Sequence, residues 1–134
     1  ERVTLHVGLD TFRPLAVDDL DEHHLHGERY RVAPDSWARI EAASRVLAVG
    51  TTSVRVLETI ARDGELEGRT SLFIVPGFDF RRVDALLTNF HLPRSTLLAL
   101  VMAFAGVDAV RDLYRTAIEE EYRFYSFGDA MLIL

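Results

Sequence analysis

The chain has 134 residues, 49% of them hydrophobic, which is the size of one domain with a buried core. Its formal net charge of −6 argues against a large autonomous nucleic-acid surface, because phosphate binding relies on clustered cations that release counterions; a local arginine patch stays open. There is no cysteine, which excludes disulfides and thiolate metal sites, and no lysine, so arginine is the only strong cation.

In chain order, Arg2 to Val7 alternates as a strand does, and Glu28 to Val32 is a second short strand candidate. The chain opens at Glu1 already inside that first pattern, as a piece of a longer protein would. Pro34 starts a helix that runs to about Ala43, with Asp35 near the positive end of its dipole. Arg45 to Val49 reads as a strand buried on both faces and bounded by Gly50. Thr51 or Thr52 can cap the next helix, whose inward positions Val54, Leu57, Ile60 and Ala61 keep helical spacing until Gly64. Ser71 to Val75 is expected as a buried strand ended by Pro76-Gly77, and Asp84 to Thr88 as a weaker one. Ser95 caps a helix that is apolar on all sides to Ala105 and is expected inside the molecule. That apolar run, Leu97 to Ala105, is far shorter than the roughly 20 residues of a membrane helix, and no leader-like segment precedes it; a soluble cytoplasmic protein is expected. Asp108 caps a last helix with a stripe of Val110, Leu113, Tyr114, Ala117, Ile118 and Tyr122, and Ala130 to Leu134 makes a final strand.

Alternating strands and helices predict a layered α/β/α sandwich around a mainly parallel sheet, with residues 1–134 forming a single domain portion. In such sheets ligands bind beyond the carboxyl ends of the strands, where three unusual clusters fall: Gly50-Thr51-Thr52, Pro76-Gly77-Phe78 and Asn89-Phe90-His91. The first turns a strand through glycine into a helix start, a geometry that offers backbone N–H groups to an anion or is a plain threonine cap. Arg55, one turn on, can pair with a ligand carboxylate or with a neighbouring acid. His91 can shuttle a proton and Asn89 can orient a polar ligand, or both can simply close a turn. Phe78 and Phe90 are candidates for stacking on a base or for core packing. His23, His24 and His26 lie among acids without metal-ligand spacing, so no metal site is expected. His6 on its strand shares a face with Thr4 and Gly8, and the Tyr125 to Asp129 loop offers a carboxylate and aromatic rings.

The ordered set VTLHVG, TFRP, GTTSVR, PGF, VDALLTNFHLP, STL, AFAG and YRFYSFGDAM resembles the C-terminal part of the S-adenosylmethionine:tRNA ribosyltransferase-isomerases, over nearly the whole chain. The resemblance implies an enzyme that moves the ribosyl part of S-adenosylmethionine onto the aminomethyl group of a 7-deazaguanine at the tRNA wobble position. Epoxyqueuosine forms, adenine and methionine leave, and the cosubstrate is consumed with no further cofactor. Family members are longer, carrying an N-terminal α/β part and an inserted β-barrel, and a monomer is expected. Matching group to need, His91 first and then His6, His26 and Glu28 are candidates for proton transfer. Thr51, Thr52 and Arg55 suit the methionyl carboxylate, and Asn89 and Asp129 suit ribose, amine or base edges. Arg81, Arg82, Arg111, Arg115 and Arg123 are candidate tRNA phosphate contacts. Two readings of other classes stay open: a noncatalytic tRNA-binding or structural fragment, and another nucleotide-binding α/β enzyme. Departures from the family pattern fall at Gly8-Leu9-Asp10 and Leu25-His26-Gly27-Glu28, and the connection at Ala43-Ser44-Arg45 is short enough to suggest missing residues.

Overall fold

The structure, a computed structural model, describes residues 1–8 and 27–134. The elements follow one another as β1 (Thr4–His6), β2 (Glu28–Arg31), α1 (Pro34–Ala42), β3 (Leu47–Val49), α2 (Thr51–Asp63), β4 (Glu67–Thr70), β5 (Ala85–Asn89), α3 (Thr96–Ala105), α4 (Val107–Glu119) and β6 (Ala130–Ile133). They form a mixed α/β fold with two three-stranded sheets, ordered β1-β2-β4 and β3-β5-β6.

The expected mainly parallel sheet is corrected by this topology. Only β3 and β5 run parallel, whereas β1/β2, β2/β4 and β5/β6 are antiparallel. The reason for the last reversal lies in the connection. Helix α3 leaves from the end of β5 where Ser95 caps it, and α4 brings the chain back until the Tyr125 amide bonds the Phe90 carbonyl at 3.1 Å. Strand β6 therefore starts beside Asn89, paired with Ala130, and runs back along β5.

The expected strand at Ser71–Val75 is also absent; the ladder forms earlier, in the polar segment Glu67–Thr70, which pairs with β2. Leu72 and Ile74 still enter the core, but as side chains of an irregular segment.

Helix α2 is the centre of the molecule. It touches β3 and β5 of one sheet and β1 and β4 of the other. Val54 and Leu57 pack in the larger core with Ala48, Leu86 and Leu100, and Val56 and Ile60 pack with Tyr30 and Val32 in the smaller one. A helix walled in on two sides loses its polar face, so every residue from Val54 to Ile60 is buried, Arg55, Glu58 and Thr59 included. The expectation of a one-sided helix facing inward through Ala61 was too narrow.

Its polar residues are accordingly paired. Arg55 and Glu28 form an ion pair with Nη1–Oε2 at 2.5 Å and side chains each 5% exposed; Glu28 Oε1 also accepts the Gly8 N–H at 2.6 Å, and Arg55 Nε donates to the Leu72 carbonyl at 3.2 Å. Glu58 Oε1 accepts the N–H groups of Arg82 and Val83 at 2.9 and 3.0 Å, while Oε2 accepts those of Arg81 at 2.9 Å and Arg62 Nη1 at 2.6 Å. This carboxylate holds the 81–83 turn onto the helix.

Helix starts follow glycine more than hydroxyls. Gly50, with φ of 85°, takes the cap position of α2, and no cap side chain bonds the first turn, so neither Thr51 nor Thr52 serves as the cap. Gly106 precedes α4, which leaves Asp108 in its first turn. Ser95 does cap α3, accepting the Leu98 N–H at 3.1 Å. On α4 only Val110 and Ala117 are buried, and the outer part of the expected stripe, Leu113, Ile118 and Tyr122, is exposed. Among the described residues no helix is long and apolar enough to cross a membrane.

Candidate active site

Because β3 and β5 are parallel neighbours, with Val49 beside Leu87, their carboxyl ends deliver Gly50 and Asn89 to the same edge of the sheet. The Gly50 N–H closes onto the Leu87 carbonyl at 2.8 Å, which pins the first residue of the turn and directs α2 away from the sheet. The positive φ at Gly50 would strain any side chain there.

A hollow of about 330 Å³ opens at this edge, lined by Gly50, Thr51, Thr52, Thr88 to Leu92, Ser95, Leu97, Tyr125 and Ser126. That is the small end of the roughly 300–1,000 Å³ of small-molecule sites. Its floor is the start of α2, where amides and the positive end of a 13-residue helix face an incoming group. Its wall is Asn89 and His91, and Tyr125 and Ser126 close the far side.

His91 is held on three sides. Its Nε2 lies 2.9 Å from Thr88 Oγ1, its N–H donates to the Tyr114 hydroxyl at 2.8 Å, and that hydroxyl lies 3.1 Å from the His91 carbonyl. Nδ1 has no hydrogen-bond partner among the described residues. Burial pushes the imidazole down from its ordinary value to about 4, because the charged form loses hydration, so the ring is neutral at pH 7. Burial likewise raises the Tyr114 phenol, with the hydrogen bond to His91 working the other way.

Phe90 lines the hollow but is only 3% exposed. Its ring meets Tyr114, Tyr122 and Phe124 at centroid distances of 5.5, 5.6 and 5.3 Å, an aromatic cluster that welds β5 to the end of α4. Asn89 Nδ2 reaches the carbonyls of Asp129 and Gly128 at 3.3 and 3.5 Å and so positions the loop across the site. In that loop the Asp129 carboxylate accepts the Arg123 N–H at 2.7 Å and its guanidinium at 3.3 Å, and these bonds lower its pKa. Gly128 is obligatory: a Cβ there would lie 2.2 Å from the Arg123 carbonyl oxygen.

The structure thus brings together Gly50, Thr51, Thr52, Asn89, Phe90 and His91, with Asp129 behind them. Other expected site residues stand elsewhere. Gly77 and Phe78 sit at the opposite end of α2, where Arg62 lies 4.1 Å over the Phe78 ring, because the segment before them is no strand of the β3/β5 sheet. Arg55 and Glu28 are buried in their mutual pair, and His6 lies exposed on β1 opposite Arg29. His26 lies outside the described residues, as do His23 and His24. Of the expected phosphate contacts, Arg82 is spent on the carbonyls of Ile40 and Ala43 at the end of α1. Arg111, Arg115 and Arg123 are exposed and pair with Asp108, Asp112 and Asp129, and Arg81 is exposed. Among the described residues no group of three or more His, Cys, Asp or Glu could hold a metal.

Two features were missed in the sequence: Tyr114 as the anchor of His91 and Thr88 as its side-chain partner. Thr88 had a signal, since it stands three residues before His91 at a strand end; Tyr114 required the fold.

An α/β protein with a ligand-sized hollow at the carboxyl ends of two parallel strands is the class that fold and site define. The profile of the queuosine biosynthesis protein family matches residues 1–133, and the chain belongs to that family. It is 59% identical over 133 residues to the S-adenosylmethionine:tRNA ribosyltransferase-isomerase of Rubrobacter xylanophilus, covering 99% of this chain and 40% of the relative. The enzyme of the same name from Solibacter usitatus is 61% identical over 132 residues, or 98% and 38% of the two chains. The crystal structure of the Thermotoga maritima S-adenosylmethionine tRNA ribosyltransferase superposes with a TM-score of 0.76 at 57% identity, covering 80% of this chain and 40% of that one. The chain spans about 40% of the length of these relatives.

Proposed function

We propose that this chain supplies part of the active site of a full-length enzyme that transfers and isomerises the ribosyl group of S-adenosylmethionine onto the aminomethyl-7-deazaguanine of tRNA. Epoxyqueuosine is the product, and adenine and methionine are released. What carries the reading is that two motifs of the resemblance, GTTSVR and TNFHLP, meet at one hollow in a member of the queuosine biosynthesis family.

The chemistry follows from the groups present. The ribose 5′ carbon next to a sulfonium carries acidic protons, and neutral His91 accepts one of them through Nδ1. Burial that lowers its pKa to about 4 weakens the ring as the accepting base and strengthens its conjugate acid, so it favours the second half of the shuttle, delivery of the proton to the departing adenine. Thr51 and Thr52 at the start of α2 take the methionyl carboxylate at the dipole end. Asn89 and the loop it holds orient ribose or base edges. Arg55, Glu28, Gly77, Phe78 and His6 act on the scaffold around this hollow, and Asp129 acts through its grip on Arg123. In the full-length protein residues 1–134 form one α/β portion, the inserted β-barrel and an N-terminal part complete the enzyme, and the tRNA contacts include Arg81, Arg111, Arg115 and Arg123. A cytoplasmic monomer fits an enzyme that works on free tRNA.

The test is adenine release from S-adenosylmethionine by the full-length protein, with and without tRNA bearing the aminomethyl-deazaguanine. Release that depends on the modified tRNA, with ribosylated base as co-product, is expected. Folded protein that binds tRNA without consuming the cosubstrate would instead support a noncatalytic RNA-binding role.

A further inference from the structure

The two loops that frame the hollow share a feature. Among the described residues, three non-glycine residues adopt positive φ: Arg94, Glu121 and Tyr125, at 54°, 56° and 73°. Two of them belong to these loops. Arg94 sits between the lining residues Leu92 and Ser95, and Tyr125 is itself a lining residue. Left-handed backbone costs energy in a non-glycine residue and persists only where surrounding structure enforces it.

On the Tyr125 side the enforcement is dense. The Tyr125 N–H bonds Phe90, the Gly128 N–H returns to Tyr125 at 3.0 Å, the Asp129 N–H bonds Arg123 at 2.8 Å, and Asp129 and Asn89 close the base of the loop. Yet this braced loop holds Phe127 99% exposed and Tyr125 61% exposed. Across the hollow, Arg94 is exposed and has no ion pair among the described residues. A rigidly presented aromatic face and an unneutralised guanidinium at the mouth of a nucleoside-sized hollow suit a splayed single strand of nucleic acid: bases stack on aromatic rings and phosphates pair with arginine.

We propose that this rim is a binding site for single-stranded RNA. Phe127 stacks on a base next to the one that enters the hollow, Tyr125 flanks the entering base, and Arg94 contacts a phosphate. The proposal rests on the reading of the hollow given above and names how the RNA is held there.

The experiment uses the full-length protein and a synthetic anticodon stem-loop carrying the aminomethyl-deazaguanine, with stem-loop binding and adenine release measured separately. Phe127→Ala is expected to weaken stem-loop binding and raise its KM about fivefold to a hundredfold, leaving the KM for S-adenosylmethionine and the melting temperature unchanged. Phe127→Trp should restore binding and Phe127→Leu should not. Arg94→Gln should weaken binding and make its logarithmic salt dependence shallower by about one. Unchanged stem-loop binding in Phe127→Ala would overturn the proposal, as would rescue by leucine. A melting temperature lowered with binding intact would also overturn it, by showing that another part of the protein covers Phe127. Wild-type protein that binds the stem-loop but releases no adenine would sink the catalytic reading alone, since the binding measurements need no turnover.

Discussion

At the carboxyl end of α2, Glu58 is fully buried and each of its carboxylate oxygens accepts two hydrogen bonds, the capacity of the ionised group. At the amino end, His91 is partly buried, lines a hollow of about 330 Å³, and has one ring nitrogen engaged and the other without a hydrogen-bond partner among the described residues. Both are polar groups taken out of water next to the same helix. The difference is in what remains for a ligand: Glu58 has nothing left to offer and acts as a fastener, whereas His91 keeps a nitrogen and a neutral ring in reserve. Saturation of bonding capacity, more than burial or residue type, separates scaffold from site.

Substitutions at the two ends should break differently. His91→Ala is expected to lower turnover by at least about a hundredfold, the usual share of a positioned proton-transfer group, while urea denaturation stays near wild type. Turnover within about threefold of wild type would move His91 to the scaffold. Glu58→Ala should do the reverse. It leaves Arg62 and the amides of Arg81, Arg82 and Val83 without their acceptor, at a cost of about 3–5 kcal/mol in urea unfolding. Glu58→Gln, which keeps an acceptor, should lose less.

Acid sharpens the same contrast. The folded His91 pKa of about 4 lies below the unfolded value of 6.5, so the unfolded chain binds more protons between them. Stability from this group is therefore full above pH 6.5 and declines as pH falls toward 4, by roughly 3 kcal/mol in total. His91→Gln should flatten that part of the urea profile, and turnover should fall with decreasing pH only near 4. At the small end, Asp112→Ala breaks an exposed pair with Arg115, 3.0 Å in length, and should change stability by less than about 0.5 kcal/mol.

How far the sequence could be read depended on how local each determinant was. Gly50, Gly64, Ser95 and Gly106 act within a turn of themselves, so the limits of α2 and α3 were legible. The strand at Glu67–Thr70 was not: EGRT has little strand propensity and pairs because β2 lies beside it, while Ser71 to Val75, which looked like a strand, sends Leu72 and Ile74 into the core without a ladder. Strand direction was equally hidden, since β6 reads the same whether one helix or two precede it. In the site, Gly50-Thr51-Thr52 and Asn89-His91 were legible because each adjoins a strand end, and one parallel pairing was enough to join them. Arg55 and Arg82 were not, because an arginine in sequence looks the same whether it meets a ligand, a buried glutamate or the end of a helix.

The placement of α2 between the two sheets also governs how the molecule comes apart. Neither sheet can leave without exposing Val54, Leu57, Val56 or Ile60 to water, so the sheets are expected to melt in one transition and not in sequence. Backbone amides in the middle of α2 should then be the last to exchange with deuterium, opening only when the whole chain does.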